Sequence, residues 1–397
     1  MTQGLSSVAH AGRSLLIALL AALALAGCHG EGAVDDPTGG VPRPPSRVEG
    51  LSVELTRAYL GALAPVLAGR VLTAVEREQI DRDGGAAIRP LLEGWTAEPG
   101  FVEAARAMME ARLAVSGMRD GIDFNLPGNT VAHVVGSALP WAEVLRAESC
   151  FTADGTAMPC DTGAPYAAGV LATRAFMSSR AGRFNLTRAG TLLVVFSCMK
   201  YPVPNALEPK IDRARLLEMF QATGADDQTV DAAKAGFGNG LACYSCHGQF
   251  GPHAQLFVRF DRAGMWHADA TGLQSTEPGA QLGESTNGLM TSHLKNPAEA
   301  ADERSQMFGE PVANLAEAAR VVSESEPFRS CAVRSLLEYS FGLDRGAEVD
   351  GTLLSRIADE VSAEHDDPSL QQLAVATFAD PVVAHTAALA LVESDAD

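Results

Sequence analysis

The chain has 397 residues, 47% of them hydrophobic, and a formal net charge of −19. That much negative charge repels a phosphate backbone and argues against nucleic acid as a partner. The apolar content is enough for a substantial core over about 350 residues, more than one small domain needs.

At the N-terminus Arg13 precedes an apolar run from Leu15 to Ala26. The run is too short for a mature helix to span a bilayer, which takes about 20 residues. Its length and flanks are those of a secretory signal. It ends Leu25-Ala26-Gly27-Cys28, which resembles a bacterial lipobox. That resemblance implies cleavage before Cys28, lipidation of Cys28, and anchoring to a membrane of the bacterial cell envelope, facing the periplasm or the surface. Residues 29–47 are rich in Gly, Pro and Asp and read as a flexible tether. No later segment is long and apolar enough to cross a membrane.

Helical signals dominate the rest, so the expected fold class is mainly α. Thr73 and Glu76 have capping-box spacing at the head of TAVEREQIDR. Phe101, Ala105, Met108 and Leu113 follow one helical face after Pro99-Gly100. Met108 and Met109 read as core. Ala153 to Pro165 is a turn-forming stretch. Leu192 to Phe196 is β-like, though a run that short also suits a buried helix turn. Residues from Thr271 to Asn287 read as a long surface loop. Phe328, Cys331, Leu336 and Tyr339 repeat at helix-like spacing before Gly342, and Leu353, Ile357 and Val361 do the same. No internal repeat is present. The expected organisation is a signal peptide (1–28), a linker (29–47), an N-terminal helical region (48–150), a middle helical region (151–235), a haem-binding region (236–343) and a C-terminal helical tail (344–397).

There are seven cysteines: Cys28, Cys150, Cys160, Cys198, Cys243, Cys246 and Cys331. Outside the cytoplasm thiols tend to be oxidised. Cys150 and Cys160 bracket a short loop containing Gly155 and Pro159, which suits a local disulfide. Cys198 and Cys331 would form a second, or remain buried thiols in helices, since four cysteines allow three connectivities.

The chemistry centres on Cys243-Tyr244-Ser245-Cys246-His247. In C-x-x-C-H two thiols add across the vinyl groups of haem, and the following histidine binds the iron from below. Cys243 and Cys246 are therefore the expected thioether positions of one haem c, with His247 as the proximal iron ligand. Export suits this chemistry, because thioether attachment happens outside the bacterial cytoplasm. Zinc would need a second ligand pair, for which His253 and His267 are available but no second C-x-x-C. A thioredoxin-like dithiol should open a helix after a strand, and these surroundings are helical and Gly-rich. A disulfide between Cys243 and Cys246 would be strained by its close spacing.

A longer pattern follows the motif. After CYSCH come three residues, Gly251-Pro252, and then QLFVRFDRAGMWH. Further on lie Phe308-Gly309-Glu310-Pro311, Leu315, Ser325-Glu326-Pro327-Phe328, Cys331, Arg334, Leu336-Leu337 and Tyr339-Ser340-Phe341-Gly342-Leu343. This resembles the planctomycete- and myxobacterial-type cytochrome-like proteins built from successive domains of unknown function. Phe260, Asp261, Gly264 and Trp266 match that family's stretch after the haem segment. Ala168 to Thr173 and Arg188-Ala189-Gly190 look like its Ala-Gly-Leu-Leu-Thr segment and a later Arg-Gly. Ser369 to Asp380 is similar to its last helix pair. Gly251 stands in place of the usual Asp, His253-Ala254 in place of x-Gly, and His267 in place of the Arg after Trp266. The resemblance implies a secreted haem protein and a cytochrome-c-like haem region.

A low-spin electron carrier needs a sixth ligand, and a methionine thioether there would raise the reduction potential. Met307 lies sixty residues after His247, just before Phe308-Gly309. Met290 is the alternative, followed by His293, with Met265 near the attachment segment. An open sixth position would instead suit sensing or peroxide chemistry. The expected role is one-electron exchange with a redox partner protein at the envelope. The alternative is a surface binding or scaffold lipoprotein with a structural haem, which better explains the long helical region before the motif. A two-haem peroxidase would need a second CxxCH. No phosphate loop, nucleophile elbow or paired catalytic carboxylate motif is present.

Overall fold

The computed structural model describes residues 47–182, 185–201, 249, 251–269, 289 and 301–394. Cys28, Cys243, Cys246, His247, Met290, His293 and the loop expected from Thr271 to Asn287 lie outside the described residues. The described chain is mainly helical. Its only strands pair into three short antiparallel hairpins. Two compact units result, one of Met1–Met108, Val135–Trp141 and Arg329–Asp397, the other of Met109–Val134 and Ala142–Phe328.

The first unit opens with α1 (Val53–Leu67), whose N-cap Ser52 accepts from the Leu55 amide. Helix α2 (Ala74–Asp83) begins with the expected capping box, Thr73 and Glu76 each bonding the other's backbone amide. Glu76 also receives the Trp95 indole N–H at 2.7 Å from α3 (Ile88–Thr96), and two guanidinium nitrogens of Arg70 at 2.8 Å. Arg70 reaches Glu98 as well. Helix α4 (Pro99–Leu113) buries Phe101, Ala105, Met108 and Leu113, the stripe expected of it.

The second unit contains the hairpin β1 (Met118–Arg119) and β2 (Ile122–Asp123), helix α5 (Leu126–Gly136), which runs past its boundary, and α6 (Glu143–Arg146). The stretch Ala153–Pro165 does turn. It contains most of a second hairpin, β3 (Cys150–Phe151) with β4 (Ala157–Met158), closed by the expected Cys150–Cys160 disulfide. Cys198 of this unit is a disulfide cysteine too, as is Cys331 of the first unit. A 3-10 turn at Gly169–Ala172 packs on α6, and α7 (Arg174–Ser179) follows.

Helix α8 (Leu186–Phe196) contains the β-like run. Leu192 and Leu193, with Arg188 and Ala189 one turn earlier, form a buried face, so tertiary packing overrides the strand preference of Val194-Val195. Strands β5 (Ser305–Met307) and β6 (Glu310–Val312) make the third hairpin. They are joined through Phe308 and Gly309, both at positive φ, as a two-residue hairpin turn of matching twist requires. Helix α9 (Leu315–Glu324) packs on this hairpin and on α6.

The chain closes with α10 (Glu326–Phe341), α11 (Gly351–Glu364), α12 (Leu370–Phe378) and α13 (Pro381–Ser394). Phe328, Cys331 and Leu336 on α10 are buried, as are Leu353, Ile357 and Val361 on α11. Helix α13 packs against α1, and the fully buried Tyr59 hydroxyl donates to the Phe378 carbonyl at 2.8 Å. Among the described residues no single helix is long and apolar enough to cross a membrane. Helices α12 and α13 pass that test only as a pair bent by 62°, and their apolar faces are buried.

Candidate functional site

The described residues resume just after the CxxCH motif. Residues 251–258 are all buried, and 251–255 are helical. The backbone then tightens, with bonds three residues apart from Leu256 to His253 and from Phe257 to Ala254. A segment with no exposed face must satisfy its polar groups internally. Three of its groups are met by the rest of the second unit. Gln255 donates to the Asp302 carbonyl, Ser305 donates to the Pro252 carbonyl, and Tyr201 Oη hydrogen-bonds His253 Nδ1. Phe257 packs against Phe176 of α7 with ring centroids 6.2 Å apart.

The ties through Gln255 and Ser305 bind β5 to the segment that follows the motif. Ser305 and Met307 alternate with Gln306 and share the inward face of the strand. Met307 is fully buried, while Met265 is 36% exposed. Of the sixth-ligand candidates, these two lie among the described residues.

Beyond the buried segment the chain folds back sharply. Phe260 and Trp266 form an antiparallel bridge, the Asp261 amide donates to the Met265 carbonyl, and the Asp261 carboxylate accepts from the Met265 amide at 2.8 Å. Gly264 sits at φ 80° in this turn. A Cβ there would lie 2.9 Å from the Met177 side chain and 3.0 Å from the Arg174 backbone, so glycine is required on both counts.

Arg188 clamps the turn from α8. Its guanidinium is fully buried and donates to the carbonyls of Met177, Phe260 and Asp261 and to Asn185 Oδ1. Burial pulls its proton affinity below the ordinary arginine range, and the Asp261 charge opposes that pull. The sequence suggested Arg188 only as part of an Arg-Gly likeness; no local signal shows that its donors meet a backbone more than seventy residues away.

A second polar cluster lies on the same stretch. Tyr166 Oη donates to Glu303 Oε1 at 2.5 Å, and Arg259 Nε lies 3.7 Å from Glu303 Oε2. The Arg259 guanidinium also sits 5.6 Å from the centre of the Trp266 ring, a cation–π arrangement. Burial raises the Glu303 carboxyl, with Tyr166 and Arg259 opposing, and burial likewise raises the Tyr166 phenol. Sequence reasoning missed this cluster because Tyr166 and Glu303 are 137 residues apart.

Among the described residues no group of three or more His, Cys, Asp or Glu is arranged to hold a metal. His253 bonds Tyr201, and His267 bonds Asp261 at 2.9 Å. Comparisons with family models, characterised proteins and solved structures return no significant match.

Proposed function

We propose that this chain is an envelope-anchored lipoprotein with one c-type haem that passes single electrons to a partner protein. The observation that carries the reading is Cys243-Tyr244-Ser245-Cys246-His247 in a chain that begins with a lipobox ending at Cys28. Cys243 and Cys246 would hold the haem through thioethers and His247 through Nε2. Bound there, haem would supply a one-electron iron couple.

The surroundings suit such a group. The segment beginning four residues after His247 is buried from residue 251 to residue 258. The fully buried Met307 thioether is a donor of the right chemistry, on a strand hydrogen-bonded to Pro252. In the turn that contains Phe260, Asp261, Gly264 and Trp266, the Asp261 carboxylate bonds the Met265 amide and Gly264 has no room for a side chain, so these two resembled positions have a physical reason for their residue types. Where the resembled stretch has Arg, His267 stands as the partner of the Asp261 carboxylate.

One feature favours a second reading, a surface binding lipoprotein with a structural haem. The first helical unit draws on both ends of the chain and contains none of the motif residues. An electron carrier does not need it.

The test is the mass and the pyridine haemochrome spectrum of mature protein from a host that matures c-type cytochromes. One covalently added porphyrin is expected, and Cys243→Ala with Cys246→Ala should remove it. Mature protein without porphyrin would overturn the reading. A reduced spectrum unmoved by carbon monoxide then favours the carrier, and partner binding that survives the double alanine variant favours the scaffold.

A further inference from the structure

Two tyrosines in the second unit are hydrogen-bonded to titratable bases. Tyr201 Oη meets Nδ1 of His253, which is fully buried. Tyr166 Oη donates to the Glu303 carboxylate at 2.5 Å, with Glu303 only 9% exposed. Both bases belong to the buried frame next to the motif: His253 is in the segment after it, and Glu303 adjoins the Asp302 carbonyl that accepts from Gln255. Tyr59 is the contrast, because its hydroxyl donates to a backbone carbonyl, which does not take up a proton.

This difference matters for one-electron chemistry. A phenol that loses an electron becomes a strong acid, so its proton must leave at the same time. A base already within hydrogen-bond reach removes the barrier to that transfer. We propose that Tyr166 and Tyr201 are redox-active side chains that give up one electron while the phenolic proton passes to Glu303 or His253. The O–H bond breaks, the proton goes to Glu303 Oε1 or to Nδ1 of the His253 tautomer protonated on Nε2, and the electron goes to an outer-sphere acceptor. A neutral phenoxyl radical remains. Return of one electron and the same proton restores the phenol.

The acceptor is a one-electron oxidant of higher potential than a phenol. For its source in the cell the inference rests on the haem reading above in its form with an open sixth position, where a hydroperoxide would be the oxidant of the haem. Arg259 helps select the tyrosine over its neighbour, because a guanidinium beside the Trp266 ring opposes positive charge on the indole. Burial raises the proton affinity of Glu303, which makes it a better acceptor.

The experiment uses the whole chain with a photogenerated ruthenium(III) polypyridyl as oxidant and electron paramagnetic resonance as readout. The wild type should give a tyrosyl radical that forms more slowly in deuterium oxide. Tyr166→Phe with Tyr201→Phe should remove most of that signal. With Tyr201→Phe as background, Glu303→Gln should slow radical formation on the order of 100-fold. An undiminished signal in the double phenylalanine variant would overturn the inference, as would an unchanged rate in the Gln variant. The His253 arm does not depend on a substitution in the core, because the solvent isotope effect in Tyr166→Phe reports it, and no effect there removes Tyr201 from the proposal. Mature protein that has no porphyrin, though made in a host that matures c-type cytochromes, and still forms the radical would end the haem reading and leave this one standing; a haem-loaded protein without the radical would do the reverse.

Discussion

Arg188 donates to the Phe260 carbonyl at 2.8 Å from a site fully closed to solvent. The same guanidinium holds Met177, Asn185 and Asp261, so one side chain fastens α7, the start of α8 and the turn after the motif. Arg188→Met keeps the volume and strands several buried acceptors. It should cost about 3–5 kcal/mol in urea unfolding. Arg188→Lys should recover only part, because an ammonium cannot span the same set of acceptors. A methionine variant within about 1 kcal/mol of wild type would show that the clamp is dispensable.

Two glycines should respond with opposite signs. At Gly169, with φ 50°, a Cβ would lie 2.2 Å from the Val144 carbonyl oxygen. Gly169→Ala should therefore cost about 4 kcal/mol by thermal or urea unfolding. Gly190 lies within α8 with nothing within 4 Å of its would-be Cβ. Gly190→Ala should add up to about 1 kcal/mol.

Glu76 makes the first unit sensitive to acid. The Arg70 guanidinium is the main cause of its fall from 4.5 to about 2, against the opposing effect of burial. A carboxyl with a lowered folded pKa stabilises fully above 4.5 and loses that contribution as pH falls towards 2. The shift corresponds to roughly 3 kcal/mol, and solvent at Arg70 reduces the net effect to about 2 kcal/mol. Wild type should exceed Glu76→Gln by that margin at pH 6, and the margin should vanish by pH 2. A margin independent of pH would show that the carboxylate charge contributes nothing.

Met307 tests the sixth ligand separately from the haem itself. Met307→Leu conserves volume and should change stability by less than about 1.5 kcal/mol. If the thioether binds iron, that variant should lower the reduction potential and let carbon monoxide bind the reduced protein. Unchanged optical spectra with and without carbon monoxide would exclude Met307.

Local rules read much of this fold correctly. The Thr73–Glu76 box and the Phe101 stripe depend on spacings of three and four residues, which a helix dictates. The Cys150–Cys160 bridge depends on a short loop. Leu192–Phe196 reads in sequence as either a strand or a buried helix turn, because two adjacent valines prefer strands, while the buried face that decides for a helix is set by α8 as a whole. The CYSCH motif is legible because its five residues are adjacent. Its frame is not legible, because the bonds from Arg188, Tyr166 and Ser305 close loops of 72, 137 and 53 residues. No periodicity encodes such distances.

The packing of α13 on α1 affects how the molecule must be made. Synthesis delivers the chain from its first residue onward, so the apolar side of α1 emerges more than three hundred residues before its cover. Until Pro381–Ser394 arrives, the side of α1 that it covers invites wrong partners. A product cut short before Pro381 should therefore be prone to aggregation and a ready substrate for proteases, even with its CYSCH sequence complete.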